Sequence, residues 1–217
     1  HVSYDNGVYT FRADYALSER AQNRFTARGN VYVKQAEPGA PVYEAYADYA
    51  RYNYQTQKGF LKASKKNPVR LIYREGKEPP VTAYAQEAGF DLDQGLFVLE
   101  GDVRVERPAP EGMQTLKAQK ATFKQNQNHL TLSGGAELSD SQRTLVADTI
   151  IYDGEHNYST ASGSRPLLSG TSEQGTFAII ADKVQADNEG RQITLDGKVQ
   201  GWVVSPQLND AEINDKF

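Results

Sequence analysis

Chemistry at neutral pH needs nucleophiles, bases or metal ligands held close together, and this chain of 217 residues offers few of them. Its three histidines, His1, His129 and His156, lie far apart in sequence, and no pair has metal-ligand spacing. There is no cysteine, which removes thiolate chemistry, disulfides and a lipidated N-terminal cysteine. No G-x-S-x-G elbow occurs, and no G-x-x-x-x-G-K-[ST] phosphate loop. The carboxylates are scattered, so a glycosidase pair cannot be singled out. No catalytic residue, metal site or cofactor is expected. Two patterns remain. Asp14, Asp48, Gln86, Gln119, Asp148 and Asp182 recur at near-regular steps. Oxygen ligands in register would suit Ca²⁺. Two of the six are glutamine, however, and the reading adopted is that these side chains satisfy backbone groups freed at corners of the chain. The second pattern is the run Lys58, Lys62, Lys65, Lys66, Arg70, Arg74 and Lys77, opposed within it only by Glu75. It reads as an anion-binding patch or as a solvated outer face.

The elements that must position these residues follow from a repeat. Each polar residue of the first pattern follows an alanine, and the steps between Ala13, Ala47, Ala85, Ala118, Ala147 and Ala181 are 34, 38, 33, 29 and 34 residues. A glycine stands 16 residues after the alanine in five of the six copies: Gly29, Gly101, Gly134, Gly163 and Gly197. In the second copy the nearest glycine, Gly59, comes early. Each glycine except Gly163 is centred in an apolar-alternating stretch, as in LFVLEGDVRVE (96–106). Alternation with period two is a strand signal, and a unit of about 33 residues repeated six times is one supersecondary element stacked on itself. Apolar residues three and five places after the alanine are out of phase with those before it. A strand changes faces only through a bulge or bend, so the Ala-Asp pair marks a corner. Glycine serves where a chain must bend or admit a close neighbour.

Six hairpins creased across their middles, laid side by side, make a V-shaped antiparallel sheet with an apolar inside and a polar outside. The expected inner set is Phe25, Val31, Val33, Phe97, Leu99, Val103, Val105, Leu130, Leu132, Leu138, Ile150, Tyr152, Ile179, Val184, Ile193, Leu195 and Val199. Gly29, Gly101, Gly134, Gly163 and Gly197 are expected at the crease, facing inward where room is least. Trp202 is expected to plug the end of the apolar groove. Gln55 and Gln57 break the pattern of the second copy, and Arg165-Pro166 that of the fifth, where bulging is expected. Turn chemistry agrees: DLDQG (91–95), DGEHN (153–157) and DNEGR (187–191) lie between the paired strands. One domain spans 1–217, with repeats over about 9–204 and a loosely held tail over 205–217.

Net charge is −4, so a nucleic-acid partner is not expected. No apolar run approaches the ~18 residues of a membrane-spanning helix. The chain opens at His1 directly in strand-like sequence, which leaves room for an export segment or anchor already removed.

The stretch VADTIIYDGEHN followed by TASGS, together with LFVLEGDVRVE, resembles the OstA-like domain of the lipopolysaccharide transport proteins (LptA, the periplasmic part of LptC, the N-terminal part of LptD). The resemblance covers residues 9 to about 204. It implies a creased β-jellyroll, or β-taco, in the periplasm. Such a domain carries lipopolysaccharide or a related acylated amphiphile with its acyl chains inside the crease. It joins similar domains through open edge strands, with head-to-tail self-association as one form. In that setting Lys62, Lys65, Lys66 and Arg70 become candidates for contact with a glycolipid head group. Soluble LptA-like and anchored LptC-like versions are both open. The rival reading is a structural or adhesive β-repeat scaffold with a closed core and no ligand.

Overall fold

The computed structural model describes residues 1–64, 67–110, 112–172, 175–187 and 192–204. The predicted tail at 205–217, Lys65 and Lys66, and most of the predicted turn at 187–191 lie outside them. The described chain forms one 19-stranded sheet. In order, β1 is Val2–Asp5, β2 Tyr9–Ala13, β3 Tyr15–Glu19, β4 Arg24–Ala36, β5 Val42–Asn53, β6 Lys58–Lys62, β7 Val69–Arg74, β8 Val81–Ala85, β9 Glu87–Asp91 and β10 Leu96–Ala109. There follow β11 Gly112–Lys124, β12 His129–Ser139, β13 Arg143–Asp153, β14 Tyr158–Ser162, β15 Leu167–Ser172, β16 Gly175–Ile180, β17 Lys183–Asp187, β18 Ile193–Asp196 and β19 Gln200–Val204. All pairings are antiparallel, and two single-turn 3₁₀ segments close hairpins at Arg20–Gln22 and Gln125–Gln127.

Six of these strands, β4, β5 and β10 to β13, run unbroken through the crease. Six more are each interrupted there, as β2/β3, β6/β7, β8/β9, β14/β15, β16/β17 and β18/β19. The result is an all-β, creased antiparallel jellyroll of twelve bent strands, with β1 added beside β2. The first arm contains β1, β2, β7, β8, β15, β16 and β19, and the second contains β3, β6, β9, β14, β17 and β18.

Pairing fails at matched points. The register shifts between Arg28 and Val31, between Glu100 and Val103, between Lys117 and Lys120, and between Ser133 and Ala136. At the glycine positions two successive residues adopt positive φ, as in Gly29-Asn30, Gly101-Asp102 and Gly134-Gly135. This is the left-handed region that side chains disfavour. The glycines do not face inward, as the sequence pattern suggested. A Cβ on Gly101 would lie 2.7 Å from Cγ of Gln86, on Gly134 2.8 Å from Cβ of Gln119, and on Gly29 2.3 Å from a carboxylate oxygen of Asp14. The crowding comes from the Asp/Gln column of the paired strand, on the outer side of the corner. Inside, the space is kept small by alanine: Ala27, Ala136 and Ala181 have no exposed surface, and Ala13, Ala85, Ala118 and Ala121 have little.

The two irregular copies have local causes. Gln55 and Gln57 occupy a hairpin turn between β5 and β6. The crease of that copy falls after β6, where the Ala63 amide donates to the Gln86 carbonyl at 2.8 Å. Ala63 stands at the place the other copies give to glycine. Gly59 serves a different purpose, because a Cβ there would strike the Phe90 ring at 2.4 Å. In the fifth copy Gly163, Ser164 and Arg165 all have positive φ. This turns Arg165 outward, where its guanidinium donates to the Lys198 carbonyl at 2.7 Å, and buries Pro166 in the crease.

The adjacent glycines separate backbone strain from crowding. Gly135 has open space around the position of a Cβ, whereas Gly134 does not. Gly135→Ala should cost about 1–2 kcal/mol, for the left-handed backbone alone. Gly134→Ala should cost clearly more, read as the difference in urea unfolding midpoints.

Candidate functional site: the crease and its rims

The cross-strand registers assemble four rows on the inner face. Two flank the crease. One runs through Ala27, Ala50, Leu61, Ala88, Leu99, Ala121, Leu132, Ile150, Ala161, Val184 and Leu195 on the second arm. The other runs through Ala13, Val31, Ala47, Val69, Ala85, Val103, Ala118, Ala136, Ala147, Pro166, Ala181 and Val199 on the first. These rows are mostly buried, and many of their residues form the main apolar clusters. One step out on the first arm stand Phe11, Val33, Ala45, Leu71, Ala83, Val105, Leu116, Leu138, Leu145, Leu168 and Ile179. One step out on the second stand Phe25, Tyr52, Phe90, Phe97, Phe123, Leu130 and Tyr152.

Every residue of the expected inner set lies in one of these rows, Ile193 by continuation of the last. Their burial differs with position. Val31, Val103, Leu132, Ile150 and Val184 are buried. Val33, Ile193 and Val199, near the ends of the sheet, are exposed. Sequence alternation gives the face of a side chain but not its distance from an edge. Of the aromatic rim of the second arm, alternation gave Phe25, Phe97 and Tyr152 but missed Tyr52, Phe90 and Phe123. The signal for those three was their placing beside the hairpin turns. Phe97 and Phe123 have ring centroids 6.5 Å apart, and Tyr52 and Phe90 stack at 6.1 Å. Trp202 does not plug the groove. It pairs with Ala178, one residue out of phase with the inner Gly201, and is 55% exposed on the outer face.

The Asp/Gln column holds the corner. Asn30 Nδ2 donates to Asp14 Oδ2 at 2.8 Å, the Ser64 amide to Asp48 Oδ2 at 2.8 Å, Ser164 Oγ to Asp148 Oδ2 at 2.6 Å and the Lys198 amide to Asp182 Oδ2 at 3.1 Å. The Gln86 amide is shared between the carbonyls of Glu100 and Gly101. Column members sit on alternate strands, roughly 9–10 Å apart. That is too far to share an ion bound at about 2.3–2.6 Å. Among the described residues no group of three or more His, Asp or Glu side chains could hold a metal.

The basic segment divides between the two arms. Lys62 pairs with Glu87 on the outer face of the second arm. Arg70 lies on the outer face of the first arm, 4.1 Å from the Tyr46 ring centroid. Neither shares the face of the inner rows. Lys58 closes on Asp91 at 3.0 Å. That contact holds the buried Asp91 carboxyl below its ordinary value, against the opposing effect of burial and with help from the Gln94 amide. At the first arm's mouth, Tyr73 donates to Glu75 at 2.7 Å, and this pushes its hydroxyl up to about 12. His156 is raised by its contact with Asp153, in an exposed turn.

With the geometry in hand, comparison with known families is decisive. A family model described as lipopolysaccharide-assembly, LptC-related, matches residues 13–131, more than half of the chain. The chain belongs to the LptC-related family. Beyond residue 131 the same creased strands continue through β19, so the repeat outruns the matched segment. Among solved structures the chain is similar to LptH of Pseudomonas aeruginosa, described as the LptA homologous periplasmic component of the lipopolysaccharide transport device. The identity is 18%, over 59% of this chain and 96% of that one, with a TM-score of 0.49. No curated protein sequence matches. Among the described residues no helix is long and apolar enough to cross a membrane.

The Lys58–Asp91 ion pair makes a pH prediction. The folded-state pKa of Asp91 is depressed, so its contribution is complete above the unfolded value of 3.8 and is lost as pH falls through the folded value. Asp91→Asn should therefore lower the melting temperature at pH 7. The gap to the native protein should close as the pH drops below 3.8. A gap that stayed constant down to strongly acidic pH would remove the ion pair from the account.

Proposed function

We propose that this protein is a non-enzymatic periplasmic carrier or bridge for lipopolysaccharide or a related acylated amphiphile. Acyl chains lie between the inner rows while the head group stays in water. The observation that carries the reading is the apolar inner face, continuous over twelve creased strands and, apart from Leu145 and Leu168, only partly buried one step out from the crease. Each methylene taken out of water contributes about 0.8 kcal/mol without asking for a specific polar partner. The chemistry is passive, and direction must come from an energised partner.

The edges support stacking. Among the described residues, β1 and β19 on the first arm each pair on one side only, and so do β3 and β18 on the second. Each such strand offers free backbone donors and acceptors to another chain. Because β1 extends the first arm alone, the N-terminal edge is staggered by one strand. A head-to-tail neighbour, whether a similar domain or a second copy, would meet β1 with its β19, leaving one strand's width between β3 and its β18 on the second arm.

One contact favours the rival scaffold reading at the N-terminal end. Phe11 of the first arm meets Phe25 of the second edge-on, with ring centroids 5.2 Å apart, and this contact spans the crease. As a carrier, the protein must part these rings to admit an acyl chain there.

A fluorescent lipid A analogue should bind the native chain. Binding should be lost in Val103→Glu and in Leu138→Glu, the latter only partly buried and so less prone to unfold. It should persist in Thr122→Glu on the outer face. Failure of the native chain to bind would favour the scaffold. Because the chain lacks cysteine, Tyr4→Cys with Val203→Cys, both on the inner face of their edge strands, reports stacking directly. Under mild oxidation the double variant should form a ladder of intermolecular disulfides, and a purely monomeric product would contradict edge docking.

A further inference from the structure

The outer face of the first arm carries a second feature that the lipid reading does not use. One row crosses the strands in the order Arg12, Tyr32, Tyr46, Arg70, Tyr84, Arg104, Lys117. Cations and aromatic rings alternate in close contact: Arg12 lies 5.8 Å from the Tyr32 centroid, Arg70 4.1 Å from Tyr46 and Arg104 4.7 Å from Tyr84. Tyr32 and Tyr46 themselves meet at 4.9 Å. The row floors a concave trough that runs along the outside of the crease, its two stretches joined at Pro68 and Tyr84.

The charges in the trough are unequally engaged. Four of the acids beside the row are engaged by the fold. Asp5 accepts from the Gly7 amide and Thr10 Oγ, and Asp14 accepts from Asn30 and contacts His1. Asp48 accepts from the Ser64 amide, and Glu44 takes the hydroxyls of Tyr32 and Tyr46. Arg12, Lys34 and Arg70 have no ion-pair partner among the described residues. Further along the same face Arg104 pairs with Glu106 and Lys117 with Glu137. Two guanidiniums therefore flank a tyrosine floor whose hydroxyls are tied down and whose rings lie in the trough. Ring faces receive the C–H face of a sugar, and a guanidinium without an ion-pair partner donates two parallel hydrogen bonds to a carboxylate or phosphate.

We propose that this trough binds an anionic saccharide, with the sugar rings on Tyr32, Tyr46 and Tyr84 and the acidic groups on Arg12, Lys34 and Arg70. The five strands from β2 to β8 that carry the Arg12-to-Tyr84 part of the row span about 20 Å at ~4.8 Å each, enough for several sugar units. The site lies on the opposite side of the sheet from the inner rows. Its failure would leave the lipid reading standing, and the reverse.

Fluorescein-labelled hexagalacturonate, followed by polarisation, tests it. Binding should be saturable and weakened by salt. Unlabelled hexagalacturonate should compete well, maltohexaose less well for want of charge, and inorganic phosphate poorly for want of rings. Arg12→Ala with Arg70→Ala should weaken binding by about tenfold or more. Arg70→Gln alone, which keeps the bulk of the side chain, should weaken it less. Lys62→Ala with Lys120→Ala, which removes the same charge from the other arm's outer face, should leave binding unchanged. No saturable binding, or equal losses from the two double variants, would overturn the proposal. So would phosphate competing as well as the hexamer.

Discussion

The rest of the structure depends on one close approach, repeated along the sheet. Where a strand turns its corner, in five of the six copies the Asp or Gln after the corner alanine lays its side chain over the glycine of the paired strand, at distances no Cβ could tolerate, and in the second copy Ala63 takes the glycine's place. In four copies the Asp carboxylate also accepts a hydrogen bond at the corner, and at Gln86 the backbone amide does the pairing. An unpaired buried donor costs about as much as a lost hydrogen bond, so the crease persists because each copy settles its own corner. Stacked in register, the corners turn a broad sheet into two arms that cannot flatten independently.

The inner face follows from that constraint. Beside the crease no aromatic side chain enters the rows, and alanine is their commonest member. Farther out, Val, Leu and Phe take over and burial becomes partial. The graded inner face is deep, narrow and apolar at its floor, and aromatic at one rim. A sandwich core would be expected to close such rows against each other along the whole length. Here that closure is marked at the N-terminal end by the Phe11–Phe25 contact. The outer face is built differently, with ion pairs such as Lys117–Glu137 and Lys120–Glu100 laid across neighbouring strands.

Much of this was legible in the residues. The period of about 33, the alternation around Gly101 and the phase change at each Ala-Asp pair give the twelve bent strands and the facing of the inner set. What escaped had physical reasons. The glycines looked inward because inside a fold seemed the tightest place, whereas the crowding comes from the neighbouring strand's polar side chain, which single-strand periodicity does not contain. The second copy looked irregular because Gly59, making room for Phe90, was taken for the corner glycine. Trp202 looked like a plug because a lone tryptophan is apolar, yet its parity with Ala178 puts it outside. The Arg–Tyr row was invisible because its members are far apart in sequence and meet only across strands. Residue spacing along one strand fixes a face, but which cations remain unpaired depends on the partner strand.

The central claim, that acyl chains lie within the crease, is tested most directly by distance from a label on the lipid. In a Trp202→Phe background, Leu130→Trp places a fluorophore on the inner face and Thr131→Trp places one on the outer face of the same strand. A lipid A analogue carrying a nitroxide on an acyl chain should quench the fluorescence of Leu130→Trp strongly and leave that of Thr131→Trp nearly unchanged. Equal quenching of the two, or none of either while the lipid is bound, would contradict the account.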